Sequence, residues 1–247
     1  MLLATVLLGP ASLFPSLAPP PPGELLSKVA EIVLRARLRE CGAVQVQVKD
    51  TGGLLFGSVE GVRVSGRRWS TPLKLSCRSL DVSVGRTAID FGALAAKQRI
   101  VLQRPSTGKA EISFTADDWD SFLAHPLFQA AVAAKCAATS ANVVFVRGGT
   151  RLCREDETVV FPVRWCGELC DARLSQAGGR ATIVLQREAD GEGGQMGSDW
   201  LTALFNELVI DLDGCELRFL QLRFSDDQLS LALDVRVRSF PSLDVNF

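Results

Sequence analysis

Apolar and polar residues alternate with a period of two along many short segments between residues 44 and 237. This alternation is the most frequent pattern in the chain. The alternating apolar positions are Val44, Val46 and Val48; Val62 and Val64; Leu73, Leu75 and Cys77; Leu80, Val82 and Val84; Ala110, Ile112 and Phe114; and Leu229, Leu231, Leu233, Val235 and Val237. A period of two places alternate side chains on one face of a strand. The pattern therefore predicts an antiparallel sheet with one buried face, in an α+β chain whose helices cover that face.

The alternation changes phase at two places, and the first change predicts a β-bulge. Leu80 is out of phase with the series that ends at Cys77, which places one bulge near Arg78 and Ser79. A second slip follows Phe219, after which the apolar positions continue from Leu220. Residues 105–108 are rich in turn-forming types and predict a turn between two strands.

Helical spacing appears in three places. Residues 25–36 carry Leu25, Leu26, Val29, Ile32, Val33 and Ala36 on one side, and Lys28, Glu31, Arg35 and Arg39 on the other. This predicts an amphipathic helix that packs its apolar face on the sheet, with a basic membrane-surface helix as the alternative. Thr115 followed by Asp118 predicts an N-capped helix that Pro126 kinks or restarts. Ser198 opens a third helix.

Two parts of the chain look duplicated. Residues 100–104 and 183–187 are identical, and each is followed by turn residues and an Asp-Trp pair, Asp118-Trp119 and Asp199-Trp200. The shared order of strand, turn and helix predicts a pseudo-repeated architecture.

Composition limits the remaining possibilities. The 247 residues are 47% hydrophobic with a net charge of −1, which predicts a well-filled core and argues against nucleic acid as a partner. Residues 1–23 are apolar and proline-rich without a basic start, and predict a degenerate targeting segment or a weak anchor. Residues 24–247 are predicted to form a single domain.

The sequence offers little for catalysis or metal binding. The seven cysteines are unevenly spaced, and we expect buried free thiols, with a Cys166–Cys170 disulfide or redox pair as the alternative. His125 is the single histidine, so we expect no metal site and no cofactor. No Gly-x-Ser-x-Gly or HExxH motif is present, which leaves acid clusters at residues 117–120 and 155–157 as the basis of a hydrolase, the less favoured reading.

Several motifs follow one another in a recognisable order. They are Leu54-Leu55-Phe56-Gly57-Ser58-Val59, then Val62-Arg63-Val64-Ser65-Gly66, a strand at residues 80–84, Phe91-Gly92-Ala93-Leu94, and the helix start from Thr115 to Trp119. In this order and spacing, residues 24–130 resemble the LmeA-like phospholipid-binding family.

The resemblance implies non-enzymatic binding of phospholipid or another acyl lipid at a membrane, with lipid transfer or membrane maintenance as the role. The fold that it implies is a long, curved antiparallel sheet wrapped around amphipathic helices, as in tubular lipid-binding proteins. The implied partners are a phospholipid or glycolipid and a membrane surface, in a plastid or cell envelope. The alternative is a scaffold protein that binds a partner through its first amphipathic helix.

Candidate lipid contacts follow from the alternation and from the arginines. Guanidinium groups pair well with phosphate, so Arg35, Arg67 and Arg68 are the candidates for the headgroup. The inward-facing apolar residues are the candidates for the acyl path: Val62, Val64, Leu73, Leu75, Val82, Val84 and Trp119. The sequence does not decide whether that apolar face lines a groove or a filled core.

Overall fold

The structure is a computed structural model, and it describes residues 22–50, 52–53, 57–72, 74–88, 90, 101–186, 192–211, 214–225 and 227–239. The helices are α1 Pro22–Arg37, α2 Ala116–Leu123, α3 Pro126–Thr139 and α4 Glu192–Glu207. The strands are β1 Ala43–Lys49, β2 Ser58–Val59, β3 Gly61–Ser70, β4 Ser76–Val84, β5 Thr87–Ala88, β6 Val101–Phe114, β7 Val143–Phe145, β8 Arg151–Cys153, β9 Thr158–Trp165, β10 Glu168–Ala177, β11 Arg180–Gln186, β12 Val209–Asp211, β13 Cys215–Ser225 and β14 Gln228–Ser239.

The predicted antiparallel sheet is the main feature of the fold. Seven strands pair in the order β1-β3-β4-β6-β14-β13-β12, each antiparallel to its neighbours. The register puts the predicted apolar positions directly opposite one another, and one complete row reads Val46, Val64, Val82, Ala110, Leu233 and Phe219. One face of the sheet is therefore apolar across all these strands, as the alternation predicts.

A second antiparallel sheet lies on the other side of the core. Its order is β11-β10-β9-β7, with β8 also paired to β9, while β2 and β5 form a short separate pair. Aromatic rings connect the two sheets, because the ring centroid of Trp119 lies 5.8 Å from Phe114 on β6 and 6.3 Å from Phe161 on β9. The chain is thus α+β, with two sheets and helices around one apolar core.

Two helices cover open sheet edges by the same means. Helix α1 bonds the outer edge of β1 through side chains four residues apart: Val48 N to Ser27 Oγ at 3.0 Å, Val46 N to Glu31 Oε1 at 2.9 Å, and Val44 O to Arg35 Nη2 at 3.1 Å. Helix α4 does this on β11: Leu185 N to Ser198 Oγ at 2.9 Å, Ile183 N to Thr202 Oγ1 at 2.9 Å, and Ala181 N to Asn206 Oδ1 at 3.1 Å. Backbone groups that would otherwise invite another strand are thereby satisfied.

This attachment corrects the predicted packing of α1. The face predicted to pack on the sheet is turned outward, and Leu25, Val29 and Ile32 are exposed. The side that faces β1 carries the polar residues Ser27 and Glu31. A strand edge needs hydrogen-bonding groups rather than apolar ones, so the polar side of the helix is the one that binds it.

The starts of α2 and α3 agree with the sequence, whereas α4 begins at Glu192, six residues before the start predicted at Ser198. Thr115 caps α2 in a reciprocal capping box with Asp118, which satisfies backbone donors of the first turn. Helix α2 ends at Leu123, and α3 begins anew at Pro126 with His125 as its N-cap. The proline therefore restarts the helix, because its ring fits the first turn and not the interior.

The irregular positions in the strands agree with the sequence prediction only in part. The slip after Phe219 is confirmed as a register shift between Phe219 and Gln221. The predicted bulge near Arg78 and Ser79 is wrong, because β3 and β4 keep one register there; instead the left-handed backbone of Arg68 (φ 50°) lies opposite this point. The predicted turn at residues 105–108 is also wrong, since these residues continue β6, with the β6–β14 register shift nearby.

The two duplicated segments occupy different positions. Residues 101–104 begin β6, inside the seven-stranded sheet, and residues 183–186 end β11, at the edge of the other sheet. Ile100 and Arg187 lie outside the described residues. Trp119 is fully buried, whereas Trp200 is partly exposed beside Trp165. The matching letters therefore do not occupy equivalent places in the sheets.

Candidate functional site

A large cavity of about 900 Å³ lies against the apolar face of the seven-stranded sheet. Its floor is built from β3, β4, β6, β13 and β14, and the opposite wall from α2, α3 and the end of α4. The apolar residues that these five strands contribute to the lining are Val62, Val64, Trp69, Cys77, Leu80, Val82, Val84, Ala110, Ile112, Phe114, Cys215, Leu217, Phe219, Leu231, Leu233, Val235 and Val237. The cavity is near the upper end of the size range of ligand sites.

The residues around the cavity differ in how deeply their side chains are buried. The aromatic cluster of Trp119, Phe128, Phe161 and Phe205 is closed and buried. By contrast, cavity-facing residues of β3 and β4, such as Val64 and Val82, are only partly buried. Side chains that should be covered in a filled core thus face open space, so the apolar face is a groove along part of its length.

The mouth of the cavity lies where α1 ends. Ala36, Arg37 and Pro72 line the cavity and are exposed at the same time, so the cavity reaches the surface between α1 and the β3–β4 turn. Leu34 and Leu38 of the same segment continue the lining inward. The mouth is therefore formed by the end of one helix and one tight turn.

Two backbone segments that carry arginines lie side by side near this mouth, and we call their arginines the arginine end: Arg35, Arg37, Arg39, Arg67 and Arg68. Backbone bonds hold the two segments together, with Gly42 N donating to Arg67 O and Arg39 N to Ser70 O, both at 2.9 Å. A methyl group built on Gly42 would lie 2.8 Å from Arg68 Nε, so the absence of a side chain at this position leaves room for the Arg68 side chain.

Most of the charge at the arginine end is unpaired. Among the described residues no carboxylate pairs with Arg37, Arg67 or Arg68, while Arg39 has a loose contact of 3.9 Å with Glu40. Arg35 binds the backbone of β1. The structure therefore brings together the two chain segments that carry the arginines predicted for a headgroup, but it is Arg37, which sequence reasoning passed over, that lines the cavity itself.

The predicted acyl path lies mostly along the cavity. Val62, Val64, Leu75, Val82, Val84 and Trp119 are all lining residues, and Leu73 lies outside the described residues. Their contact with a lipid stays a prediction. The sequence reasoning missed the equally apolar positions of β6, β13 and β14, such as Ala110, Leu217 and Leu233. The same period of two marked those strands, and only their pairing order shows that they share the cavity.

Three polar residues near the cavity, Ser76, Asp118 and His125, have structural partners. Ser76 Oγ donates to Asp118 Oδ1, and Asp118 also caps α2 through Thr115. His125 Nδ1 accepts from Leu127 N at 3.4 Å. Since Asp118 bonds the serine and the cap rather than the histidine, these groups do not form a nucleophile–base–acid relay.

His125 gives a pH-dependent prediction. Burial lowers the pKa of its imidazole, so the folded state resists protonation, whereas the unfolded chain takes up a proton below about pH 6.5. The stability contributed by neutral His125 is thus present above that pH and is lost as the pH falls toward the lowered pKa. Asparagine can replace the cap without titrating, so we expect the free energy of unfolding of His125→Asn to fall less between about pH 7 and pH 5. Urea unfolding across this range checks it, and equal slopes for both proteins would contradict it.

All seven cysteines are free thiols, including Cys166 and Cys170, which are not bonded to each other. Two of them line the cavity. Burial, with the nearby Asp118, raises the pKa of Cys77 to about 12, and burial raises that of Cys215 to about 11. Both thiols therefore stay protonated near neutral pH and add only weakly polar surface to the cavity wall.

The described residues contain no group of three or more potential metal-binding side chains. Among them, too, no helix is both long and apolar enough to cross a bilayer.

The comparisons with known proteins give one match. No curated protein and no solved structure shows significant similarity to this chain. A family model described as LmeA-like phospholipid-binding matches residues 23–234, which include the second sheet and most of the seven-stranded sheet and of the cavity lining. The chain therefore belongs to the LmeA-like phospholipid-binding family.

Proposed function

We propose that the protein binds one phospholipid, with its acyl chain in the apolar cavity and its phosphate at the arginine end. The observation that carries this proposal is a large apolar cavity that opens beside guanidinium groups with no carboxylate partner in the described part of the chain. A phospholipid has the same two parts in the same order, an apolar tail and an anionic head.

The energetics favour such a ligand. Each methylene transferred from water to the cavity contributes about 0.8 kcal/mol, so a chain of about ten methylenes contributes about 8 kcal/mol before the costs of binding. Arg37 lies at the mouth, where it can donate two hydrogen bonds to phosphate oxygens. The tail thus supplies most of the affinity and the arginines supply the preference for an anionic group.

Native mass spectrometry of the full chain, with extraction of any bound lipid, tests this proposal. We expect phospholipid or glycolipid to co-purify at close to one molecule per chain. Protein that is lipid-free and also takes no lipid from liposomes would contradict the proposal.

The same measurement with a dispersed short-chain anionic phospholipid tests the arginine end. We expect the double variant Arg37→Gln and Arg67→Gln to bind roughly 30-fold more weakly, because two charge-assisted contacts of about 1 kcal/mol each are lost. Arg236→Gln, on the exposed side of β14, is the matched control and should bind normally. Equal affinities of all three proteins would place the headgroup elsewhere.

Several finer points are part of the proposal. We propose that the protein works at a membrane surface, in lipid transfer or membrane maintenance, and that its membrane is that of a plastid or cell envelope. Support comes from the family and from the cavity, which could shield a lipid from water. The alternative, a scaffold that binds a partner through α1, is favoured by the exposed apolar side of that helix.

We also propose that the chain is pseudo-repeated and wraps its sheets into a tube around the lipid. The support is the recurrence of one device, a helix whose side chains at four-residue spacing bond the edge of a sheet, in α1 with β1 and α4 with β11.

A further inference from the structure

Helix α1 carries a row of exposed apolar side chains that ends at the cavity mouth. We call this row, Leu25, Val29, Ile32 and Ala36, the docking strip. These residues follow helical spacing of four, three and four, so they form one line about 16 Å long. Val29 is 56% exposed and Ile32 is 67% exposed. Ala36, the last member, lines the cavity, so the strip is continuous with its apolar interior.

The helix cannot simply turn to bury this strip. Ser27, Glu31 and Arg35 lie on its other side and each bonds the edge of β1. Rotation would break these bonds and leave backbone groups of β1 without hydrogen-bond partners, which is unfavourable. The outward orientation of the strip is therefore built into the attachment of the helix.

The charges beside the strip indicate what covers it. Arg37 lies at the end of the strip, with Arg39, Arg67 and Arg68 beyond it in the arginine end, and Arg37, Arg67 and Arg68 have no carboxylate partner among the described residues. An apolar line flanked by basic groups matches a surface with apolar chains below anionic headgroups. A protein partner would need acidic side chains placed opposite these arginines, whereas an anionic bilayer presents negatively charged headgroups over its whole surface.

We propose that α1 docks on an anionic phospholipid surface through the docking strip, with the arginine end among the headgroups. This inference rests on the proposed function, because it places the cavity mouth on the bilayer from which a lipid would enter. Ala36 would then lie at the boundary between the acyl layer and the cavity. A lipid could pass from one apolar phase to the other with little exposure of its tail to water.

Vesicle binding of the full chain tests the docking. We expect stronger sedimentation with vesicles that contain phosphatidylserine than with pure phosphatidylcholine. The double variant Val29→Glu and Ile32→Glu should bind anionic vesicles at least roughly 30-fold more weakly, because two apolar anchors are replaced by like charge. The control variant Val144→Glu and Leu169→Glu changes two equally exposed apolar residues on the second sheet and should bind normally. Unchanged vesicle binding of the α1 variant would overturn the proposal.

A second measurement separates this inference from the proposed function. The α1 variant should still take up dispersed short-chain phospholipid with unchanged affinity, because the substitutions lie outside the cavity. If wild-type protein docks on vesicles but takes up no dispersed lipid, then the docking holds and the cavity proposal fails. If dispersed lipid binds but vesicles do not, then the docking fails alone.

Hydroxyl-radical footprinting of the full chain distinguishes other occupants of the strip. We expect Val29 and Ile32 to be oxidised freely in solution and to be protected when anionic vesicles are added. Protection without vesicles at every protein concentration would show that residues 1–21 cover the strip, and protection that grows with concentration would show a second copy of the chain. Either result would overturn the proposal.

Discussion

Replacing Trp119 with alanine is expected to lower the free energy of unfolding by about 4 kcal/mol, the largest stability loss of any single substitution considered. The Trp119 side chain is 0% exposed and contacts rings from α2, β6, β9 and α4, among them Phe114, Phe161 and Phe205. Its loss would leave a void between the two sheets that surrounding rings cannot fill without leaving their own contacts. Urea unfolding followed by circular dichroism measures the effect.

Two controls make this result specific. Trp200→Ala removes a tryptophan that is only partly buried and should cost roughly 1.5 kcal/mol. Trp119→Phe keeps an aromatic ring in place and also removes the Nε1 donor, which has no hydrogen-bond partner, so its cost should stay below about 1.5 kcal/mol. Equal losses for Trp119→Ala and Trp200→Ala would mean that the cluster does not hold the sheets together.

Replacing Val82 with tryptophan is expected to weaken phospholipid binding roughly 100-fold while the protein stays folded. Val82 lies in the middle of the cross-strand row between Val64 and Ala110, and it lines the cavity. The indole would take the space of about four methylenes, worth about 3 kcal/mol of transfer free energy. Since the ring enters open space rather than a filled core, we expect little loss of stability.

Ser83→Trp is the matched control for this substitution. Ser83 is the next residue of β4 and is exposed on the opposite face of the sheet, so the same ring there leaves the cavity unchanged. Titration with a dispersed phospholipid, read by native mass spectrometry, compares the three proteins. If Val82→Trp binds as wild type does, the acyl chain does not occupy this part of the cavity.

Some of this architecture could be predicted from local sequence. The period of two at residues such as Val62, Val64, Val82 and Val84 predicts strands with one apolar face, because neighbouring side chains of a strand must point to opposite faces. Thr115 and Asp118 predict the start of α2, because a capping box involves only groups within one turn. The register shift after Phe219 could also be predicted from local sequence, because the alternation changes phase within a single strand.

Other features depended on contacts between distant residues. The bulge expected near Arg78 is absent, because β3 changes its backbone at Arg68 while the pairing register is kept. Residues 105–108 look like a turn by composition, but β14 pairs with residues 106–108, while β4 pairs with Gly108 and Gly85 N donates to Thr107 O on the other side, which keeps the segment extended. The local preference of these residues for a turn is overridden where neighbouring strands supply hydrogen bonds.

The sequence by itself determined the antiparallel sheet, its apolar face and the family to which the chain belongs. Only the tertiary structure decided which side of α1 points outward, which arginine-bearing segments lie side by side, and whether the apolar face is covered. The spacing of residues sets the face on which a side chain lies, but what lies opposite depends on how the other elements pack. Here the polar side of α1 binds the backbone groups at the edge of β1, because those groups require hydrogen-bond partners. Val29 and Ile32 lie on the other side of the helix and stay exposed. The aromatic core closed on the second sheet, and the cavity beside Val82 stayed open.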